Sequence, residues 1–169
     1  AEIELGQRDA AGQRLAAVVR DADAAGAGEP AWLARWLLGR LALRQERWTE
    51  AIDWLSEATA RVEAQRARLD PAGDGLRFLR ERFDPYVDLA VAHIRAGRSG
   101  DPEERAAPVL RILERAHARA LRHAWEGVRP VPLGSDIHGV QTRLRRDELL
   151  VGYLLGERHG VLLAATRDE

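Results

Sequence analysis

The stretch Leu38-Gly39-Arg40-Leu41-Ala42-Leu43-Arg44-Gln45-Glu46-Arg47-Trp48-Thr49-Glu50-Ala51-Ile52-Asp53-Trp54-Leu55-Ser56-Glu57-Ala58 decides the fold. It lies across the junction of two helical patterns. From Ala31 to Arg44, Trp32, Leu33, Trp36, Leu37, Leu38, Leu41 and Leu43 recur at helical spacing. That apolar face is wider than one neighbour needs, so this helix is expected to pack on two sides. Gln45 to Trp48 reads as a turn. Thr49 then has the chemistry of an N-cap for a helix from Glu50 to about Leu69.

Working outward toward the N-terminus, Ala1 to about Ala25 carries Ile3, Leu5, Leu15, Val18 and Val19 with alanines between, a further helical pattern. Gly26-Ala27-Gly28-Glu29-Pro30 stops it, and Pro30 suits the first turn of the next helix, where a missing N–H costs nothing. On the other side, Asp70 to Gly75 is a cluster of helix breakers. Leu76 to Phe83 is expected to be a short helix or helix start. Asp84-Pro85 opens another from Tyr86 to Ala96, closed by Gly97 to Gly100. Asp101-Pro102-Glu103-Glu104 is a strong helix start, with a capping Asp and Pro at the first helical position. That helix should reach about Trp125, with a kink or early break at Pro108.

Gly127 to Gly134 is rich in Pro and Gly, and beyond it the period changes. Val140 to Arg146 is a short helix candidate. Leu149 to Leu155 and Gly160 to Thr166 are two apolar runs separated by Gly156-Glu157-Arg158-His159. They predict a β-hairpin with a four-residue turn. Both runs are apolar on both faces, as for strands in a sheet covered on two sides. A lone hairpin is marginal in water and its edges invite pairing, so more sheet is expected than these residues supply.

The Leu38–Ala58 stretch resembles a tetratricopeptide repeat. Leu38-Gly39 stands as the family's Leu-Gly pair, Trp48 as its turn aromatic, Ala51 and Ala58 as its small residues, and Leu55 as its large apolar residue. Small residues let two antiparallel helices approach, and the aromatic fills the wedge at their turn. The first-helix aromatic of the family is replaced by Ala42, and its closing Pro is displaced to Pro71. Shifted back by about 39 residues, Asp9 to Ala16 matches the same template more weakly. Ala1 then falls inside a repeat's first helix, which implies a chain cut from a longer protein. Tyr86 to Ala96 with Ala106 to Leu121 makes a third, degenerate repeat.

Two further pieces are similar to the approach to a CHAT domain, a caspase-like α/β peptidase fold. One is the helix Leu113-Glu114-Arg115-Ala116-His117-Ala118-Arg119-Ala120-Leu121. The other is Asp147 to Glu157 followed by Val161 to Asp168, which looks like that domain's opening strands. The resemblance implies helical repeats over residues 1–126, a linker over 127–143, and the start of an incomplete CHAT domain over 144–169. The expected fold is therefore mainly α, a solenoid of antiparallel helix pairs, with a C-terminal hairpin that begins a caspase-like sheet. The family's catalytic His and Cys would lie downstream, so no catalytic residue is expected in these residues.

Composition narrows the function. The 169 residues carry 26 basic and 27 acidic side chains, a net charge of −1, which argues against a nucleic-acid module. All the basic residues are Arg, and Lys, Asn and Met are missing, a pattern explained by a GC-rich, bacterial genome rather than by phosphate recognition. With no cysteine, the chain holds no disulfide, thiolate zinc site or cysteine nucleophile. No apolar run reaches the roughly 18 residues of a membrane span, and the start lacks the layout of a signal peptide. The expected location is cytoplasmic.

His93, His117, His123, His138 and His159 include no i, i+4 pair, so no metal site is expected. Ser135, Asp136 and His138 have the residue types of a triad but sit within four positions, whereas a triad converges from separated segments. Gly73-Asp74-Gly75 lacks the strand that precedes a phosphate loop. No cofactor is expected. By the repeat resemblance, Leu33, Trp36, Arg40, Leu43 and Arg44 face a concave groove. Trp36 with Arg40 and Arg44 has the chemistry to hold an acidic peptide or a terminal carboxylate, although Trp36 and Leu43 equally suit packing on a neighbouring repeat.

The expected function is a non-catalytic scaffold. It would bind a protein or peptide and control a downstream CHAT cysteine peptidase. Its other partner would be the rest of that domain, or another chain completing the sheet. The alternative is a stand-alone tetratricopeptide adaptor with no protease link, whose hairpin caps or dimerises.

Overall fold

The computed structural model describes residues 8–69, 78, 82–97, 101–124 and 137–167. These residues are mainly helical, with one two-stranded antiparallel sheet at the C-terminal end. The helices are α1 (Arg8–Ala24), α2 (Gly28–Arg44), α3 (Trp48–Arg66), α4 (Asp84–Ala96), α5 (Pro102–Ala124) and the short α6 (Ile137–Gln141). The strands are β1 (Leu150–Leu155) and β2 (Gly160–Ala165). The expected breaker cluster at 70–75 and most of the expected helix at 76–83 lie outside the described residues, as do 1–7 and 127–134.

The first two helical turns-back use the same device. Gly26 sits at φ 63°, and the Ala27 N–H donates to Ala22 O at 2.9 Å. In the next turn Glu46 sits at φ 57°, and the Arg47 N–H donates to Ala42 O at 3.0 Å. A left-handed residue after a helix redirects the last N–H groups onto its orphan carbonyls. Gly takes that conformation freely; Glu46 takes it against the clash of its Cβ. This device shifts the next helix start. Arg47, not Thr49, is the cap position of α3; it makes no side-chain capping bond, and Thr49 lies one residue inside the helix.

Helices pack in chain order, α1 on α2, α2 on α3, α3 on α4 and α4 on α5. The wide apolar face of α2 is accounted for by neighbours on two sides. At its crossing with α3, Gly39 removes the side chain that Leu55 would otherwise strike. A Cβ built there would lie 2.5 Å from Leu55 Cγ. Ala42, Ala51, Leu55 and Ala58 are fully buried, so the close approach is filled rather than hollow.

One apolar core runs from the helices into the sheet. Trp32 of α2, Leu55 and Val62 of α3, Tyr86 and Leu89 of α4, Ile112 and Leu113 of α5, and Leu154 and Val161 of the hairpin belong to it. Polar ties cross the same interfaces. Buried Arg35 donates from Nη2 to Asp23 Oδ2 of α1 at 2.6 Å, from Nε to Glu57 Oε2 of α3 at 2.8 Å, and from Nη1 to Ala31 O at 3.0 Å. One guanidinium thereby joins three helices. Tyr86 is buried, and its hydroxyl donates to Glu63 of α3, whose other oxygen accepts from Arg66 at 2.7 Å.

Pro108 does not end α5, which continues through it to Ala124. The expected helix at 140–146 is displaced to Ile137–Gln141. There Ile137 and Val140 are buried against Leu110 of α5 and Ala165 of β2. The packing partner, not local propensity, sets its position.

In the hairpin, Leu155 pairs with Gly160, and the four residues between make the turn, as expected. The register gives the two faces opposite fates. Leu150, Gly152, Leu154, Val161, Leu163 and Ala165 face α4 and α5. Gly152 lets β1 lie against α5, since a Cβ there would come within 3.0 Å of Leu113 Cδ1. The other face carries Val151, Tyr153, Leu155 and Leu162, exposed between 47% (Val151) and 67% (Leu162). Among the described residues only the first of these faces is packed.

A candidate ligand cleft between two helices and the hairpin turn

The groove residues expected from α2 have different surroundings. Leu33 is exposed. Leu43 packs on the main core. Arg44 is half-buried at the C-terminal end of the helix. Trp36 and Arg40 are brought together in a small cleft that the sequence alone did not reveal. Its other walls are Asp84, Val87 and Asp88 of α4, and Glu157, Arg158 and His159 of the hairpin turn.

Each wall is positioned by a local cause. Trp36 and Arg40 are four apart on α2 and share a face, so the guanidinium lies over the indole, 5.1 Å from the ring centroid. Asp84 opens α4, and its Oδ1 accepts the Glu157 N–H at 2.9 Å. The turn is closed by the Gly156 N–H donating to His159 O at 2.9 Å. Gly156 is needed there: a Cβ would sit 2.4 Å from Asp84 Oδ1. The hairpin is thus fastened to the first turn of α4 through the Glu157 backbone N–H and the Asp84 side chain.

Asp88 is the centre of the cleft. Trp36 Nε1 donates to its Oδ2 at 2.7 Å, and Arg40 Nε stands 3.9 Å from the same oxygen, an ion pair but not a hydrogen bond. Burial pushes the Asp88 carboxyl above its usual range, against the pull of the Trp36 N–H and of Arg40. Burial also pulls Arg40 below the usual guanidinium range, and the positive charges of Arg158 and Arg44 add to that. Asp84 and Asp88 each accept a hydrogen bond, and with Glu157 they place three acidic side chains around Arg40 and Arg158.

Sequence reasoning missed Asp88, Asp84, Arg158 and His159. Asp88 did leave a signal, a carboxylate among apolar neighbours in Tyr86-Val87-Asp88-Leu89-Ala90, and a buried carboxylate needs donors from another element. The turn residues carried none, because their proximity depends on how the hairpin docks. His138 sits on α6, and Ser135 and Asp136 lie outside the described residues. Among the described residues no group of His, Asp and Glu is clustered to hold a metal ion, and no helix is long and apolar enough to cross a membrane.

Comparison with protein-family models gave no match, and comparison with curated proteins and with solved structures gave none.

Proposed function

We propose that this chain is a scaffold of tetratricopeptide-like helix pairs that holds a protein or peptide partner and leads into the opening strands of a CHAT-type, caspase-like peptidase domain. Stacking of α1 to α5 in chain order supports the solenoid reading, as does the Gly39–Leu55 crossing. The observation that carries the peptidase link is the hairpin. One face is seated on α4 and α5, while Val151, Tyr153, Leu155 and Leu162 stand exposed on the other. A contiguous apolar face of this kind marks an interface, and a two-stranded sheet gains from further strands. In this reading the chain contributes no catalytic group; it has no cysteine to offer. Its role is to fix the first strands relative to the partner site.

The test is amide hydrogen exchange across Leu150–Ala165, compared between this chain and the intact gene product. The proposal expects the outward-facing edge amides to slow by orders of magnitude in the intact product. It also expects a peptidase activity there that thiol alkylation abolishes. Unchanged exchange and no such activity would leave only a docking protein.

A further inference from the structure

The cleft is a joint between three elements, and the start of α4 holds the other two. We infer that this part of α4 is a latch: Asp88 holds α2 through Trp36, Asp84 holds the hairpin turn through the Glu157 N–H, and release of the first tie unseats the hairpin. The consequence for a downstream domain rests on the reading above; the latch itself does not.

Three observations carry it. Asp84 and Asp88 are four apart on α4 and share a face, one turn from each other. Asp88 Oδ2 accepts from Trp36 Nε1 at 2.7 Å, and Asp84 Oδ1 accepts from the Glu157 N–H at 2.9 Å. A single helical turn therefore carries both ties, and both α2 and the hairpin pack on α4. The tie to α2 is costly to lose. Asp88 is buried, and Arg40 Nε, 3.9 Å away, stands too far to donate. Once Trp36 is withdrawn, the carboxylate lacks that donor in a place where burial already disfavours its charge. It then turns toward solvent, and the helical turn that carries Asp84 moves with it. The tie to the hairpin has no slack. A Cβ on Gly156 would collide with Asp84 Oδ1 and lie 3.2 Å from Val87 Cγ2, so a displacement of about 1 Å in this part of α4 reaches the hairpin directly.

The rest of the hairpin's seat is thin. Its inner face meets α4 and α5, while its outer face is exposed. A unit held on one face opens at a lower free energy than the whole fold. The latch is the route by which a partner that draws on Trp36 of α2 acts on strands of another element.

Native-state amide exchange of this chain, followed by nuclear magnetic resonance, tests it. Trp36→Phe keeps an aromatic ring beside Arg40 and removes the N–H that Asp88 accepts. The Glu157 amide and the amides paired across the hairpin should exchange about tenfold faster or more, the loss expected for a hydrogen bond to a charged group, because an unseated hairpin is marginal in water. Amides of α3 should change by less than about twofold. Asp84→Ala should speed the same hairpin amides, and adding Trp36→Phe to it should have little further effect. Coupling is reciprocal, so Asp84→Ala should also speed exchange of the Trp36 indole proton several-fold, a readout that needs no change at Trp36. Trp54→Phe removes an indole N–H from α3 outside the latch and should leave the hairpin amides as they are. Unchanged hairpin amides in Trp36→Phe, acceleration spread equally over α3, fully additive effects in the double variant, or an unmoved Trp36 indole proton in Asp84→Ala would each overturn the latch. Because exchange is read on this chain alone, such a result leaves the proposed link to a peptidase domain standing.

Discussion

Replacing Gly39 by Ala probes the contact on which the helix stack depends. The new Cβ would lie 2.5 Å from Leu55 Cγ and 2.7 Å from Cδ2. Carbon atoms in contact stand about 3.5–4.0 Å apart, so Leu55 or the helix must give by roughly 1 Å. Leu55 is fully buried, and Cγ is near the root of the side chain, so a rotamer change of its tip does not relieve the overlap. Overpacking of this kind costs about 1–3 kcal/mol. Ala returns about 1 kcal/mol over Gly in a helix interior, leaving a net loss of about 0–2 kcal/mol. Urea unfolding followed by circular dichroism should show the midpoint lowered by up to about 1 M. The double variant Gly39→Ala with Leu55→Ala sharpens the test. Leu55→Ala alone should cost about 2–5 kcal/mol, and on the Gly39→Ala background it should cost at least about 1 kcal/mol less, because the added methyl no longer meets Leu55. Gly39→Ala clearly more stable than the parent, or strict additivity in the double variant, would refute the close crossing of α2 and α3.

Other expected outcomes follow from single contacts. Glu46→Gly should raise stability by about 1 kcal/mol in the same urea assay, since φ 57° costs Glu what Gly does not pay. Tyr86→Phe should lower it by about 1–2 kcal/mol through loss of the bond to Glu63, with the helical spectrum intact. The Asp23 carboxyl is held below its usual range, first by the hydrogen bond from Arg35. The stability it adds is complete above the ordinary Asp pKa and is lost as pH falls through the lowered value, so Asp23→Asn should flatten acid unfolding in that window. Leu154→Ala should loosen the hairpin and cost about 2–4 kcal/mol, whereas Leu162→Ala on the outward face should cost far less, as judged by thermal unfolding and strand amide exchange.

Much of the fold was legible in the residues because its signals are local. Gly26 and the Gln45–Trp48 turn mark helix ends; Asp101-Pro102 marks a start; Gly156 to His159 sets the hairpin turn. Where local chemistry and packing disagree, packing prevails. Thr49 is a good cap by type, yet the left-handed Glu46 begins α3 earlier. Val140 to Arg146 has no intrinsic reason to start at Ile137; the gap between Leu110 and Ala165 supplies it. The two apolar runs show that both strand faces are apolar but not which one the helices cover; register and the missing side chain at Gly152 decide that. At the site, Trp36 and Arg40 were legible as a pair four apart on one face. Asp88 and the turn residues were not, because they reach the cleft through contacts separated by about fifty residues or more in sequence. Arg35 was likewise overlooked: nothing local distinguishes a guanidinium joining three helices from one in solvent.

The most direct test of the account is the structure of the intact gene product. The account predicts further strands continuing the sheet from the hairpin, with Val151, Tyr153, Leu155 and Leu162 covered and α4 still fastened to the turn through Asp84. A solitary hairpin with that face open to solvent would contradict it.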